Sequence, residues 1–263
     1  MLSTHPLELR GAFACHFFEK NTLTALVKHF ANPAIGQVGA NILNTGLSDK
    51  GISKQEKSYI QHENKLKYRE GLLGLMQGAF GGCYAIRASL WPSIPKGYMM
   101  EDFFVSMDVF AQKYQAILAL EAVCFEDVSD EVAEEFKRKK RISIGNFQNL
   151  TFYRKLLTNF DLLGFCFWSH KGLRWFSPLF LVVCFVTSAF LIDIPIYHLF
   201  LFVQIMFLMS IPIDKVLKTL GLNLKIVRSI AYFYQMNLAL VFGFWQYLKG
   251  TESSVWTPTK RNI

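Results

Sequence analysis

Two adjacent carboxylates, Glu101 and Asp102, stand in an otherwise apolar stretch of the sequence between Tyr98 and Phe104. Charged groups are costly to bury unless another group pairs with them. A carboxylate held beside a hydroxyl group can act as a general base and take its proton. Acidic residues are also typical of the first turn of a helix, where they favour the helix dipole. The stretch alone leaves both interpretations open.

Two further segments contain residue types that a transferase pocket needs. Upstream lies a glycine-rich run, 78–83, which includes Phe80, Gly81 and Gly82, and small residues allow the backbone to approach a ligand closely. Downstream lies a run of basic residues, 137–141, whose side chains can hold an anion. Taken singly, the glycine run is also typical of a packed turn, and the basic run of a solvated helix face.

Several other kinds of site are not indicated. The five cysteines are widely spaced and form no C-x-x-C pair, which predicts reduced, buried thiols rather than disulfides or a zinc site: Cys15, Cys83, Cys124, Cys166 and Cys184. The six histidines are also scattered, which favours structural roles. A net charge of +8 fits phosphate-bearing partners or an anionic membrane surface. Without a recognition helix or an aromatic-basic platform, no nucleic-acid partner is expected.

The elements that must position these groups alternate between strand and helix. Hydrophobic periodicity and breaker residues predict strands over 12–18, 35–42, 80–88 and 116–125, and helices over 21–30, 57–73 and 101–115. A polar loop is expected over 44–56. This alternation predicts an α/β domain that ends near residue 145.

The last third of the chain has a different composition. Three apolar segments, 175–192, 194–213 and 230–248, are each near the roughly 20 residues that span a bilayer. A buried globular hairpin is the alternative. The segment 144–168 mixes aromatic residues with single charges, as expected for an amphipathic helix on a membrane surface. Lys and Arg precede the first span and lie between the second and third, so the positive-inside rule places the α/β domain in the cytosol.

In order and spacing, the pieces together resemble the C-terminal half of the membrane-bound family 2 glycosyltransferases, which include the cellulose, chitin and hyaluronan synthases. The similar pieces are 29–39, 78–82 with Arg87, 101–102, 134–142, 145–148, 169–171, 174–175 and 250–251 with Trp256. Their combination is far more specific than any single piece.

The resemblance implies a GT-A type nucleotide-sugar transferase that inverts the anomeric carbon. Its partners would be a nucleotide-sugar donor, a glycan or lipid acceptor, and the lipid bilayer. Asp102 would match the catalytic base that removes the proton of the acceptor hydroxyl, and Glu101 would set its position.

The resemblance also assigns the groups around that base. Arg138 and Arg141 would lie near the departing diphosphate, where a rigid guanidinium suits the developing charge. Phe80, Gly81 and Gly82 would line the acceptor site.

The sequence departs from the family pattern at two levels. Ile142 stands where the polymer synthases have Trp, and Arg138 where they have Gln, which weakens the case for a long processive polymer. The family expects a divalent metal, magnesium or manganese, but its D-x-D-type ligands are missing ahead of Phe17, so no metal ligand is assigned. We therefore expect a truncated and inactive copy, or one half of an enzyme whose partner chain supplies the donor-binding half.

The predicted organisation has three parts. A partial GT-A domain, the acceptor half, covers 1–145, an amphipathic interfacial segment covers 146–174, and a transmembrane domain with three spans and a short tail covers 175–263. The protein would be a multi-pass protein of the cell membrane. A non-catalytic membrane subunit or degenerate homologue that binds a glycan or a partner protein is the alternative, and a transport or anchor protein is the least favoured.

Overall fold

A mixed β-sheet forms the centre of the computed structural model, which describes residues 8–13, 17–45, 52–127, 131–222 and 224–250. Its strand order is β1-β4-β3-β5-β2, and the long strands β3 and β5 run parallel while the other pairs are antiparallel. The strands are β1 (Leu9–Phe13), β2 (Phe17–Phe18), β3 (Ile35–Thr45), β4 (Cys83–Arg87) and β5 (Gln115–Asp127).

Helices pack on both faces of the sheet and form most of the rest of the described chain. They are α1 (Thr22–Val27), α2 (Ser53–Leu72), α3 (Glu101–Ala111), α4 (Val132–Phe152), α5 (Arg154–Leu157), α6 (Leu162–Phe167), α7 (Leu173–Trp175), α8 (Ser177–Phe190), α9 (Pro195–Thr219) and α10 (Lys225–Lys249). Short 3-10 turns occupy Lys28–Ala31 and Ala88–Leu90, and a π-helical turn occupies Trp168–Gly172.

Each face of the sheet has its own hydrophobic core. On one face, Leu26 of α1 and Phe30 pack against apolar residues of β3 and β5. On the other face, Phe104 and Met107 of α3 pack against the sheet and against the segment that follows α4. Burying a side chain such as Phe104 contributes roughly 1.5–3 kcal/mol. The α/β prediction is therefore confirmed.

Helix α3 ends earlier than the predicted range of 101–115. The helix stops at Ala111, and Lys113 has a positive φ of 68°, which turns the chain out of the helix. Gln115 then begins β5, where the apolar residues of the next segment pair with β3. The apolar period of the segment could not reveal this turn, because a lysine is not a typical residue for a positive φ.

The predicted strands are also shifted. Strand β3 continues to Thr45, into the expected polar loop, and α2 begins at Ser53 rather than at residue 57. The predicted strand 12–18 is not one element, since β1 pairs with β4 at one edge of the sheet and β2 pairs with β5 at the other. Residues 14–16 between them lie outside the described ranges.

The single amphipathic helix predicted over 144–168 is wrong. Helix α4 already begins at Val132, includes the whole basic run, and passes the expected domain boundary at residue 145 without a break. The chain then turns, and a new helix, α6, begins after Asp161, whose carboxylate accepts a hydrogen bond of 2.8 Å from the Gly164 N–H.

Part of the expected interfacial segment belongs to the core. Leu157 and Phe167 are buried, and the Phe167 ring lies 5.2 Å, between ring centroids, from that of Trp175, the first residue of the first predicted span. Phe160, by contrast, is fully exposed. The apolar residues of the segment thus pack into the core of the α/β domain. Its position at a membrane surface stays a prediction.

One described helix, α9, is long and apolar enough to cross a membrane. Leu162–Trp175 and Ser177–Phe190 meet the same criterion only as a pair, and they are bent by 60° at the break between them. Helix α10 does not meet it. Three spans are therefore not confirmed.

Helix α10 differs from the predicted span because one of its faces packs tightly on α4. The Ser143 hydroxyl donates a hydrogen bond of 2.8 Å to the Leu240 carbonyl, and a Cβ at Gly243 would overlap the Lys140 carbonyl oxygen. The Phe147 and Phe244 ring centroids are 4.5 Å apart. The helix that carries the basic run is thus held against α10.

The cysteine prediction is confirmed in part. Cys83, Cys124 and Cys166 are free and buried, whereas Cys184 is free but exposed on α8, so the expectation of burial was wrong there. Cys15 lies outside the described residues.

Enlarging Gly243 should separate α10 from α4. We expect Gly243→Leu to destabilise the fold by about 1–3 kcal/mol, because the added side chain has no space against Lys140 and Ser143. The measurement is the midpoint of thermal unfolding in detergent, with Val241→Leu on the exposed face of the same helix as the control. Equal midpoints for the two variants would show that the α4–α10 contact does not support the fold.

Candidate active site

Helix α3 begins with the two carboxylates, and their environments differ. Glu101 is exposed, whereas Asp102 is half-buried. The Asp102 Oδ1 atom accepts a hydrogen bond of 2.8 Å from the Phe103 N–H, and the Asp102 carbonyl accepts one of 2.9 Å from the Ser106 hydroxyl. These local bonds fix the orientation of the Asp102 carboxylate at the start of the helix.

The glycine-rich run lies directly against this carboxylate. A Cβ at Gly81 would be 2.9 Å from Asp102 Oδ2, so a larger residue there would displace the carboxylate or the loop. The Ala79 N–H donates to the Ser106 hydroxyl over 3.0 Å, which ties the same loop to α3. Gly82, half-buried, follows in the turn before β4. The structure thus brings together two of the three segments that the sequence singled out.

Helix α4 holds the chain just before the carboxylates. The Gln148 side chain accepts a hydrogen bond from Met99 N–H and donates one to the Gly97 carbonyl, each over 3.0 Å. A Cβ at Gly145 would lie within 2.9 Å of the Met100 nitrogen and would overlap its side chain. The position of Asp102 therefore depends on close packing between α4 and the loop at 97–100.

The basic run contributes Arg141 to the site. Burial lowers the pKa of Arg141, while the negative charges of Asp102 and Glu101 oppose that effect and the charge of Arg138 adds to it. Arg141 therefore lies within the electrostatic field of both carboxylates.

Arg138, one turn earlier on α4, has a different environment. Its guanidinium lies 3.3 Å from the carboxylate of Glu135 and 3.9 Å from that of Glu56. The carboxylate of Glu135 is the main cause that raises the pKa of Arg138. Arg138 thus belongs to a cluster of ion pairs, and a role at the diphosphate stays a prediction.

Phe80 contacts a residue that the sequence did not single out. The ammonium of Lys67, on α2, lies 3.4 Å from the centroid of the Phe80 ring, and Lys67 is only 3% exposed. Tyr84 on β4 is also buried nearby, and its pKa is raised by burial and by the charges of Asp102 and Glu101.

Helix α2 carries a row of buried glutamates at a spacing of seven residues. Glu56, Glu63 and Glu70 are 2%, 2% and 8% exposed. This row was missed because a charged helix usually has a solvated face. The spacing was the available signal, since residues seven apart lie on the same face of a helix.

Two of these glutamates bind the π-helical turn and α7. Glu63 contacts Lys171 and accepts from Arg174 over 3.0 Å, while Glu70 is 2.7 Å from His170 Nδ1. His170 Nε2 also lies 3.1 Å from Glu63, without the alignment of a hydrogen bond. Burial raises the pKa of Glu63, but the charges of Lys171 and Arg174 and the His170 contact outweigh it and hold that pKa well below its usual range.

The third glutamate, Glu56, joins α2 to α4 and α10. Its carboxylate contacts the Tyr232 hydroxyl on α10 and lies 4.0 Å from the Lys139 ammonium on α4. Lys139 is also 3.1 Å from Glu135. We call the buried glutamates at 56, 63, 70 and 135 and the cations that contact them the α2 charge cluster.

The described residues do not fit a metal site. Within those ranges, no group of three or more His, Cys, Asp or Glu side chains could hold a metal ion. Glu101 and Asp102 are adjacent, but they have no third ligand. We therefore assign no step of the proposed reaction to the divalent ion that the resemblance leads us to expect.

Comparisons with known proteins identify what this arrangement is similar to. The family model described as Glycosyl transferase family group 2 matches residues 20–246. The mannosyltransferase PcManGT from Pyrobaculum calidifontis, solved in complex with GDP-Man and Mn2+, superposes with a TM-score of 0.56 at 15% identity. At this identity the likeness supports a GT-A-like fold alone. The alignment covers 92% of this chain and 62% of the mannosyltransferase, and no curated protein matches.

The buried glutamate Glu63 should make stability depend on acid pH. Its pKa is depressed in the folded state, so its stabilisation is present above the usual carboxyl pKa and is lost as the pH falls toward the folded value. We expect Glu63→Gln to cost about 3–5 kcal/mol at neutral pH, because the buried Lys171 and the partly exposed Arg174 lose their counter-ion. The variant should also lose part of the acid dependence.

The measurement is denaturant unfolding in detergent at neutral and acid pH. The control is Glu134→Gln, since Glu134 pairs with the exposed Lys137 and surface pairs contribute about 0–1 kcal/mol. If the two variants lose equal stability, the buried cluster does not hold α2 to the π-helical turn.

Proposed function

The chain belongs to glycosyl transferase family group 2, and from this premise we propose that it transfers a sugar from a nucleotide-sugar donor to a glycan or lipid acceptor with inversion. One observation carries the proposal. Asp102, Gly81 and Arg141, from three separate segments, converge at the start of α3. This convergence provides a base, a loop of small residues beside it and a cation.

In the proposed reaction Asp102 acts as the general base. Its carboxylate takes the proton of the acceptor hydroxyl as that oxygen forms a bond to the anomeric carbon. The bond from this carbon to the donor phosphate breaks, and its electron pair leaves with the diphosphate. Gly81 lies directly against Asp102 Oδ2, and it belongs with Phe80 and Gly82 to the loop that we propose as the acceptor side. Glu101 starts the helix turn that positions Asp102.

Arg141 has the complementary role at the leaving group. As the bond breaks, negative charge develops on the diphosphate, and a cation already in place stabilises it without reorganisation. Arginine stays charged despite the lowering of its pKa by burial, because its ordinary pKa is above about 12. Arg141 is the one of the two arginines that we assign to this role, since the charges of Asp102 and Glu101 act on it, whereas Arg138 lies 3.3 Å from Glu135.

We propose that donor binding requires structural elements in addition to those of this chain. The chain spans 62% of the length of the mannosyltransferase, and the described residues lack a group that fits the expected divalent ion. We propose that a partner chain supplies donor-binding elements. Under this proposal the nucleotide, the metal and the acceptor meet only in the complete assembly.

The proposed location is the cell membrane, with the active site in the cytosol. Support comes from the apolar helix α9, from the bent pair before it, and from the basic residues at the end of α9 and the start of α10. A cysteine placed at residue 193 should react with a membrane-impermeant maleimide added to intact cells. A cysteine placed at residue 102 should react only after permeabilisation. The measurement uses a variant without native cysteines, and the reverse labelling pattern would overturn this orientation.

Removing the proposed base should abolish most of the transfer. Asp102→Asn keeps the shape and a hydrogen-bond acceptor but cannot take the proton, so the rate should fall about a hundredfold or more with little change in donor binding. Arg141→Ala should weaken both nucleotide binding and rate, because it holds the leaving group. Rates are measured in native membranes with a panel of nucleotide sugars.

A matched control is Asp108→Asn, on the same helix. Asp108 hydrogen-bonds Tyr153 and Gln112, away from Gly81, so its loss tests the general cost of removing a charge from α3. A near-normal rate for Asp102→Asn would end the assignment of the base. Acceptor binding without transfer of any sugar in the panel would instead favour a non-catalytic membrane subunit.

A further inference from the structure

Lys67 is a buried cation whose charge is not taken up by an ion pair. Its neighbours Lys171 and Arg174 both contact Glu63, whereas no ion pair within the described ranges includes Lys67. Its ammonium instead faces the Phe80 ring at 3.4 Å. A cation over an aromatic ring is attracted by the negative ring face, and more strongly when both are out of water.

This contact connects α2 with the loop that touches the proposed base. Phe80 directly precedes Gly81, and a Cβ at Gly81 would be 2.9 Å from Asp102 Oδ2. The orientation of the Phe80 ring is therefore coupled to the space in front of Asp102. A buried ammonium against this ring therefore gives the loop a contact with α2 in addition to its contacts with α3.

We propose that Lys67 is a positioning residue of the transfer reaction, whose ammonium holds Phe80 at the acceptor side and interacts electrostatically with Asp102. The proposal deepens the function proposed above and rests on it for the role of Asp102. Lys67 does not need to touch the substrate, because it acts through Phe80 and through its electrostatic field.

Burial and the charged groups around Lys67 place the loss of its proton near neutral pH. Burial lowers the pKa of Lys67 to about 7, and the charge of Lys171 adds to this, while the carboxylates of Glu63, Asp102 and Glu70 oppose it. His170 and Arg174 also face this group of charges through Glu63 and Glu70. Lys67 is thus cationic below about pH 7 and neutral above it.

A pH profile separates a positioning role from a structural one. If the cation supports the reaction, transfer by the native chain falls as the pH rises through about 7. In Lys67→Arg the charge persists, so this alkaline fall should disappear while transfer at acid pH is retained at least in part. In Lys67→Met the charge is absent throughout, so the rate should be about tenfold lower or more near pH 6, without an alkaline fall.

The control for these profiles is Lys65→Met, on the same helix but exposed to solvent. It should keep both the rate and the alkaline fall of the native chain. If Lys67→Met lowers the rate but keeps the native shape of the profile, Lys67 has a structural role only and the proposal is wrong.

A second measurement does not depend on activity. In protein labelled with 13C at the lysine Cε, the Lys67 resonance, assigned by its loss in Lys67→Arg, should titrate near pH 7. It should also carry a ring-current shift that Phe80→Leu removes, because the ammonium lies over that ring.

The pH profiles and the NMR measurement can each contradict a different part of the proposal. A chain that transfers no sugar but shows both NMR features disproves the proposed function and with it the role in positioning, while the Lys67–Phe80 contact stands. A Lys67 resonance that titrates like exposed lysines and does not respond to Phe80→Leu overturns the inference even if the chain is an active transferase.

Discussion

Buried carboxylates on one face of α2 impose the constraint on which the other contacts depend. A buried glutamate without a partner costs several kcal/mol, so each of Glu56, Glu63 and Glu70 requires cations from elsewhere in the chain. These cations come from α4 and from the π-helical turn with α7, and Tyr232 of α10 adds a hydroxyl. These contacts therefore fix α2 relative to α4, to the π-helical turn with α7, and to α10.

This constraint also separates the two arginines of the basic run. Arg138 and Arg141 are one turn apart on α4, and the α2 charge cluster takes up the first of them through Glu135. The second then faces Asp102, because α4 is fixed at its other end by Gln148 and Gly145, which hold the loop before α3. The same helix thus provides a structural cation and, in the proposed function, a functional one.

How much of the structure the sequence could reveal depends on how far apart along the chain the interacting residues are. Period and breaker residues predicted most of the strands, α1 and α2, because these signals are local, and the family resemblance placed Gly81 and Asp102 at one site. The pairing of Glu63 with Lys171 joins residues 108 positions apart, and the seven-residue spacing of the glutamates shows that they share one face of α2 but not which residues cover that face. Helix α10 was misjudged for a related reason, since an apolar segment has the same composition whether it faces lipid or packs on α4.

The charge balance around the site gives the burial of so many ionised groups a chemical meaning. In the described part of the chain, the buried or half-buried carboxylates of this region include Glu56, Glu63, Glu70, Asp102, Glu126 and Glu135, and the cations around them include Lys67, Arg138, Lys139, Arg141, Lys171 and Arg174. Carboxylates and cations offset one another in a region of low dielectric constant, where an uncompensated charge is costly. Arg141 lies in the electrostatic field of Asp102 and of Arg138. A cation held in place by such a network favours the transition state of the proposed transfer, because it stabilises the negative charge that grows on the diphosphate without reorganisation.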